Sequence, residues 1–240
     1  MMAVILAGGK GTRLKPFTMS IPKPLLPLGD VPILEVVLQQ LARAGVTRVV
    51  LTLGHMAHLF SACIGDGERF GLKIDYCRED SPLGTAGSLT LVSEPEERMI
   101  VMNGDLLTTI DYAALLRFHE KQRAACTIAV HRRTTYIDYG VIETTQDGKL
   151  DRYVEKPSIP YLVSMGINVV TRDALKRIPP GQRFDMPQLM QATRDAGETV
   201  ACYESDCYWQ DIGRFDDYQQ ASADFDKDPT RFTRLEYSTG

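Results

Sequence analysis

The chain has 240 residues, of which 44 % are hydrophobic and 24 % charged, a composition typical of globular proteins with one or two domains. The net charge of −4 argues against a nucleic-acid binder with a basic surface, and no apolar run is long enough to cross a membrane. The five cysteines lack metal-site spacing and no signal-peptide pattern begins the chain, so we expect reduced thiols in a cytoplasmic protein.

The first half of the chain alternates predicted strands and helices. An apolar run at 3–6, followed by Gly8 and Gly9, is typical of a strand buried on both faces of a parallel sheet. Apolar periodicity predicts further strands at 47–53, 72–77 and 98–103, and helices at 31–44, 56–64, 85–92 and 111–123. This alternation predicts βαβ units with right-handed crossovers.

The second half has the pattern of a mixed sheet. Gln146, Asp147 and Gly148 separate two predicted strands, which is a hairpin signal. The pattern predicts strands at 126–132, 139–145, 149–154, 163–170 and 199–203, and helices at 173–178, 186–196 and 214–225. We therefore expect one α/β domain over residues 1–226 with an inserted mixed-sheet lobe, and a loosely held polar tail over 227–240.

A glycine-rich, basic loop follows the first predicted strand. Gly8, Gly9 and Gly11 allow close approach of the backbone to a ligand, and N–H groups in such loops bind phosphates. Arg13 can grip phosphate oxygens with its planar fork, and Lys23 adds a point charge. The spacing matches neither the dinucleotide fingerprint nor the Walker A loop. A phosphate site at the carboxyl edge of the sheet is favoured, and a solvated glycine-rich turn is the alternative.

Two aspartates stand where predicted apolar segments end. Asp105 closes the run IVMNGD, and Asp211 lies in YWQDIG. A carboxylate at the carboxyl edge of a sheet suits Mg²⁺, which takes one or two carboxylates together with substrate phosphates. The alternative role for Asp105 is a helix N-cap, although Asp111 is also available to cap the helix predicted at 111–123. Spacing alone does not pair the two aspartates.

Several motifs follow one another in the order of a known family. The chain resembles the sugar-1-phosphate nucleotidyltransferases over residues 3–225, in the motifs LAGGKGTRLKPFT, IPKPLLP, PLGTAGS, VMNGD, YGVIE, VEKP, GINVV and YWQDIG. The PLGTAGS motif is most similar to members of the mannose-1-phosphate guanylyltransferase type. The resemblance implies a Rossmann-like three-layer sandwich with a mostly parallel mixed central sheet and an inserted sugar-binding lobe. It also implies that an NTP and a sugar 1-phosphate react to give an NDP-sugar and pyrophosphate, with Mg²⁺ as cofactor.

The resemblance also implies roles for individual residues. Arg13 and Lys23 would hold the triphosphate, and Asp105 and Asp211 would bind Mg²⁺. Nucleotide contacts are implied for the end of the first strand, the glycine-rich loop and the region around PLGTAGS: Leu6, Ala7, Gly8, Gly9, Gly11, Thr12, Glu79, Gly84 and Thr85. Sugar-phosphate contacts are implied for the predicted lobe and the strand after it: Gly140, Glu155, Lys156 and Asn168. The residues alone favour a solvated strand end for the Glu155–Lys156 pair.

The sequence does not fix the nucleobase, the sugar or the oligomeric state. Glu79 can accept from both the N1–H and the 2-amino group of guanine, which favours GTP, but it can also accept from the N3–H of uracil or thymine. A uridylyl- or thymidylyltransferase is therefore one alternative. A catalytically inactive regulatory subunit is another, disfavoured because every residue with an implied catalytic role is present. The expected partners are the NTP and the sugar 1-phosphate, without nucleic acid or membrane, for a monomer or homodimer.

Overall fold

The computed structural model describes residues 1–233, and the last part of the predicted tail, 234–240, lies outside that range. The strands are β1 Met2–Ala7, β2 Pro27–Leu28, β3 Val31–Pro32, β4 Arg48–Leu53, β5 Lys73–Arg78, β6 Arg98–Asn103, β7 Leu106–Thr108, β8 Cys126–Tyr136, β9 Val141–Thr144, β10 Leu150–Val154, β11 Ser158–Thr171, β12 Val200–Glu204 and β13 Trp209–Asp211. The α-helices are α1 Ile33–Arg43, α2 Ala57–Ile64, α3 Gly84–Gly87, α4 Tyr112–Gln122, α5 Met186–Asp195 and α6 Phe215–Lys227. No helix within residues 1–233 is both long and apolar enough to cross a membrane.

Seven strands form the central sheet in the order β12-β8-β11-β6-β1-β4-β5. Only β11 runs antiparallel to its neighbours among these strands; the other neighbouring pairs are parallel. Residues of β1 alternate between two apolar clusters on opposite faces, with Ile5 packing toward α1, α2 and α4 and Val4 toward α3 and α5. The expected three-layer α/β sandwich with a mostly parallel mixed sheet is therefore confirmed.

A third apolar cluster lies beside the central sheet and holds the basic loop in place. Leu14 and Leu28 from the N-terminal segment pack there with Ile212 and with Phe225 of α6. Two short ladders belong to the same region, β2 with β3 and β7 with β13. The cluster thereby brings the segment around residue 14 next to the segment around residue 212, although about 200 residues separate them in the chain.

The inserted lobe differs in detail from the predicted elements. The strand predicted at 163–170 begins at Ser158, because its first part pairs antiparallel with the end of β8, up to Tyr136. In the chain, the β9–β10 hairpin lies between β8 and β11, and it forms a separate two-stranded sheet. The helix predicted at 85–92 is α3 followed by a 3₁₀ turn, and the one predicted at 173–178 is a 3₁₀ turn at Ala174–Arg177.

The start of the predicted loose tail is packed against the domain. Helix α6 continues to Lys227, and Phe232 beyond it is 1 % exposed. The Phe232 ring lies 5.2 Å from the ring of Tyr208 and 5.9 Å from that of Phe225, measured between centroids. Residues 227–233 are therefore attached to the domain through Phe232, since an aromatic side chain in a polar stretch can anchor it to an apolar cluster.

Phe232→Ala is expected to lower the free energy of unfolding by about 3 kcal/mol, since truncation of a buried aromatic ring leaves a cavity. Urea unfolding followed by circular dichroism measures the change. Leu150→Ala is the control, because Leu150 is 64 % exposed and its truncation should cost less than about 0.5 kcal/mol. Equal, small effects of the two substitutions would contradict the packed position of Phe232.

Candidate active site

A cleft of about 430 Å³ opens at the carboxyl edge of the central sheet. It lies where β1 has β4 on one side and β6 on the other, the position at which open α/β sheets bind ligands. Its walls come from the ends of these strands, from the glycine-rich loop and from two later segments: Leu6, Ala7, Gly8, Gly9, Gly11, Thr12, Arg13, Lys23, Pro24, Thr52, Glu79, Pro82, Gly84, Thr85, Ser88, Asn103, Asp105, Arg183, Asp185 and Gly213. The structure thus brings all nine predicted nucleotide-binding residues to one cleft.

The glycine-rich loop forms the floor of the cleft through close backbone contacts. A Cβ atom on Gly8 would lie 2.9 Å from Glu79 Oε1, and one on Gly54 would lie 2.7 Å from the Gly8 carbonyl oxygen. Gly11 has φ +60°, and its carbonyl accepts a hydrogen bond of 2.7 Å from Thr18 Oγ1. Side chains larger than hydrogen are excluded at Gly8 and Gly54, so the loop backbone stays exposed to a ligand.

Both predicted phosphate-binding cations are at the cleft. The Lys23 ammonium forms an ion pair with Asp105, lies 3.9 Å from Asp211 Oδ1 and is largely buried. The Arg13 guanidinium lies beside Gly213, where a Cβ atom would be 3.6 Å from Nη1. Lys23 therefore lies near both aspartates, and the Arg13 guanidinium lies at the neighbouring Gly213.

The two aspartates are adjacent because β7 pairs with β13. Asp211 is opposite Leu106 in that ladder, and the Ile212 N–H donates to the Asp105 carbonyl at 3.2 Å. The carboxylate oxygen Oδ1 of Asp105 is buried without a hydrogen-bond partner among residues 1–233. Helix α4 is capped by Asp111, whose Oδ1 accepts from Ala114 N at 2.9 Å, so the N-cap alternative for Asp105 was wrong.

Partial burial raises the pKa of the Asp211 carboxyl above its ordinary value, and the negative charge of Asp105 raises it further. Lys23 and Arg13 lower it in part. The negative charge on Asp211 is therefore unfavourable in the folded protein. Within residues 1–233, no group of three or more His, Cys, Asp and Glu converges as a protein-only metal site. Two carboxylates and an unpartnered buried oxygen nevertheless fit Mg²⁺, which completes its shell with water and substrate phosphates.

Asp211→Asn is expected to raise the free energy of unfolding at pH 7, by less than about 1 kcal/mol because the group is partly solvated. The raised pKa means that the folded protein holds this proton more tightly than the unfolded chain, so ionisation weakens the fold. This loss of stability is complete at pH values above the folded-state pKa of Asp211, and it vanishes at pH values below the ordinary pKa of 3.8. Denaturation in EDTA at several pH values should show the difference from wild type shrinking as the pH falls. A variant less stable than wild type at pH 7 would contradict the argument.

The predicted sugar-phosphate residues lie outside the cleft walls. Glu155 and Lys156 are exposed in the link between β10 and β11, and the Tyr153 hydroxyl donates to Glu155 Oε2 at 3.3 Å. Gly140 packs against the ring of Tyr153. Asn168 is 5 % exposed and its Nδ2 donates to the Val101 carbonyl at 3.4 Å. Asn168 therefore lies within the sheet, because its strand runs between β6 and β8, and its predicted contact with the sugar stays a prediction.

The cleft also contains residues that the sequence did not indicate. Among them, Thr52 is the penultimate residue of β4 and Asn103 is the last residue of β6. Arg183 and Asp185 come from the segment before α5, which binds to the PLGTAGS region through Phe184, whose carbonyl accepts from Ala86 N at 2.9 Å and Gly87 N at 2.8 Å. The contact joins segments about 100 residues apart, so no local pattern reveals it. The one available signal was an aspartate directly before a predicted helix.

The comparison with known families agrees with this geometry. Residues 2–228 match the family model described as "Nucleotidyl transferase". The chain belongs to the nucleotidyl transferase family.

The names of similar family members differ in the nucleotide and in the sugar phosphate. This nucleotidyl transferase is 35 % identical over 228 residues to a mannose-1-phosphate guanylyltransferase of Mycobacterium tuberculosis, covering 92 % of this chain and 64 % of the relative. It is 32 % identical over 241 residues to a UTP–glucose-1-phosphate uridylyltransferase of Synechocystis, covering 92 % and 62 %. The chain thus spans less than two thirds of the length of these relatives.

A solved structure shares the fold over nearly its whole length. It is a crystal structure from Bacillus anthracis of a protein with the provisional name glucose-1-phosphate thymidylyltransferase. The TM-score is 0.74 at 26 % identity, and the match covers 93 % of this chain and 94 % of that one. The two chains therefore share one fold over almost their whole length.

Proposed function

We propose that the protein transfers a nucleotidyl group from an NTP, with GTP preferred, to a sugar 1-phosphate in a Mg²⁺-dependent reaction. The products are an NDP-sugar and pyrophosphate. The observation that carries this proposal is the convergence of the glycine-rich loop, Arg13, Lys23, Asp105 and Asp211 at one cleft. Family membership and the names of two relatives above 30 % identity support it.

The nucleotide lies with its base against Ala7, Gly8 and Glu79, and with its phosphates along the loop at 8–15. This orientation follows the contacts of the loop, because Glu79 Oε1 lies beside Gly8, whereas Lys23 lies beside Gly11 and Arg13 lies beside Gly213. Backbone N–H groups of the glycine-rich loop donate to phosphate oxygens. Holding the triphosphate this way aligns the α-phosphorus for in-line attack.

The reaction is a phosphoryl-centred substitution. An oxygen of the sugar phosphate forms a bond to the α-phosphorus, and the bond from that phosphorus to the bridging oxygen breaks to release pyrophosphate. No general base is required, because a phosphate monoester is already ionised near neutral pH. Arg13 and Lys23 stabilise the charge on the leaving pyrophosphate. Asp105 and Asp211 would hold Mg²⁺, which would supply further positive charge to the reacting phosphates.

The preference for GTP rests on Glu79. Its Oε2 accepts a hydrogen bond of 3.0 Å from Leu83 N, which fixes the carboxylate, while Oε1 lies beside Gly8 at the cleft. A fixed carboxylate accepts two hydrogen bonds from guanine but only one from uracil or thymine. The uridylyltransferase relative keeps transfer from UTP as the second candidate. The cytoplasmic location and the monomeric or dimeric state stay predictions.

A matrix of pyrophosphate-release assays tests the proposal. GTP, UTP, dTTP, CTP and ATP are each combined with mannose-, glucose-, N-acetylglucosamine-, N-acetylmuramic acid- and heptose 1-phosphates, with Mg²⁺ or with EDTA. We expect turnover in the GTP row, dependent on Mg²⁺. Turnover in the UTP or dTTP row alone would support the second candidate. Silence across the matrix, with folded protein, would leave either a sugar 1-phosphate outside the matrix or the inactive regulatory subunit, and nucleotide binding without turnover would favour the former.

A further inference from the structure

Arg183 lines the cleft, but the mechanism above gives it no task. Its side chain is 73 % exposed, and its Nε lies 3.6 Å from Asp185 Oδ2, which is longer than a hydrogen bond. Within residues 1–233, this distant ion pair is the polar contact that the structure gives the guanidinium group. Its planar set of N–H donors is therefore available to a ligand in the cleft.

The backbone fixes Arg183 to the same loop that fixes Glu79. The neighbouring Phe184 N–H donates to the Leu83 carbonyl at 2.8 Å, and the Leu83 N–H in turn donates to Glu79 Oε2 at 3.0 Å. The Thr85 N–H donates to Asp185 Oδ1 at 3.0 Å. A cation and an anion thus stand on one connected framework at the base end of the cleft.

Charge argues against a phosphate-binding role for Arg183. Arg183 is grouped with Asp185, 3.6 Å away, and with Glu79 through the Leu83 hydrogen bonds, so this group carries a formal charge of −1 that disfavours a triphosphate. Arg13 and Lys23 supply two cations at the other group of charges, where they balance Asp105 and Asp211. A neutral, polar group that offers both acceptors and donors fits the pair of Arg183 and Glu79 better than an anion does.

We propose that Arg183 is a specificity residue that donates hydrogen bonds to N7 and O6 of guanine, while Glu79 accepts from N1–H and the 2-amino group. An arginine fork matches the two acceptors of this edge, and pyrimidines have no N7. Adenine presents a donor where guanine has O6, so Arg183 disfavours it as well. The proposal rests on the proposed function, because it assumes that the cleft takes an NTP.

Equilibrium binding without sugar phosphate tests the proposal on the full chain. Calorimetry gives Kd for GTP, for 7-deaza-GTP, which lacks the N7 acceptor, and for UTP. We expect the wild type to bind GTP about tenfold more tightly than 7-deaza-GTP. Arg183→Leu should erase that difference, and Arg183→Lys should keep only part of it, because lysine can donate to N7 and O6 but lacks the planar set of donors. Both substitutions should leave Kd for UTP within about twofold.

Arg172→Leu is the matched control. Arg172 is an exposed arginine whose backbone N–H bonds to the Glu97 carbonyl at the opposite edge of the sheet, and its replacement should leave all three Kd values unchanged. An equal loss for all three nucleotides in Arg183→Leu would overturn the proposal, as would equal wild-type affinities for GTP and 7-deaza-GTP. Either result leaves the transferase reaction standing, because the assay matrix measures turnover with each NTP independently.

Discussion

Asp105→Asn is expected to lower kcat for pyrophosphate release about 10³-fold or more while the protein stays folded. Asp105 supplies one of the two carboxylates at the site, and its Oδ1 has no hydrogen-bond partner among the described residues. A catalytic metal contributes several kcal/mol of charge stabilisation, and each 1.36 kcal/mol is about tenfold in rate. Asparagine keeps the shape of the side chain and an oxygen that can accept from Lys23, so the buried ammonium keeps a partner.

The measurement combines kinetics with an independent test of folding. Pyrophosphate release is followed at saturating substrates over a range of Mg²⁺ concentrations, and thermal unfolding confirms that Asp105→Asn is native. Asp195→Asn is the control, since Asp195 is an exposed residue at the end of α5. Its kcat should equal that of the wild type. A rate close to normal for Asp105→Asn would remove this residue from the metal site.

The position of the glycine-rich loop at the cleft could be predicted from the sequence, because the strand and the glycines that specify it are neighbours in the chain. An apolar run such as Val4–Ile5 specifies a buried strand, and the glycines after it specify the loop. Parallel strands end at one edge of a sheet, so Glu79 after β5 and Asp105 after β6 were bound to meet the loop there. Local pattern plus sheet topology therefore accounts for the glycine-rich loop and for Asp105, whereas Glu79, Gly84 and Thr85 were assigned through the family resemblance.

The remaining features depend on pairing between distant segments. Asp211 reaches Asp105 only because β13 pairs with β7, about 100 residues earlier in the chain; residue spacing could not reveal this, and the family resemblance could. Arg183 reaches the cleft through the hydrogen bonds of Phe184. The burial of Asn168 follows from its neighbours β6 and β8, which no pattern within β11 specifies. The positions of these three residues are set by contacts between distant segments of the chain, which local sequence patterns do not specify.

The second large effect is expected at the lobe. Lys156→Ala should raise KM for the sugar 1-phosphate about 10- to 100-fold and leave KM for the NTP within about twofold, because a hydrogen bond to a charged group contributes about 1.5–3 kcal/mol. Lys156 is exposed and, among the described residues, has no carboxylate within ion-pair distance, so its ammonium is available to a phosphate. Initial rates with each substrate varied in turn measure the two KM values.

The backbone at Lys156 provides a way to separate charge from conformation. Its φ is +43°, in the left-handed region that glycine adopts readily and alanine does not. Lys156→Gly removes the charge and relieves the backbone, Lys156→Ala removes the charge alone, and Lys156→Arg keeps the charge. If the ammonium binds the sugar phosphate, the glycine and alanine variants should share the raised KM and the arginine variant should recover part of the affinity.

Lys149→Ala is the control on the same lobe, since Lys149 already pairs with Asp147 at 2.7 Å. Equal increases in both KM values for Lys156→Ala, or a glycine variant with normal KM, would show that Lys156 shapes the lobe instead of binding the phosphate.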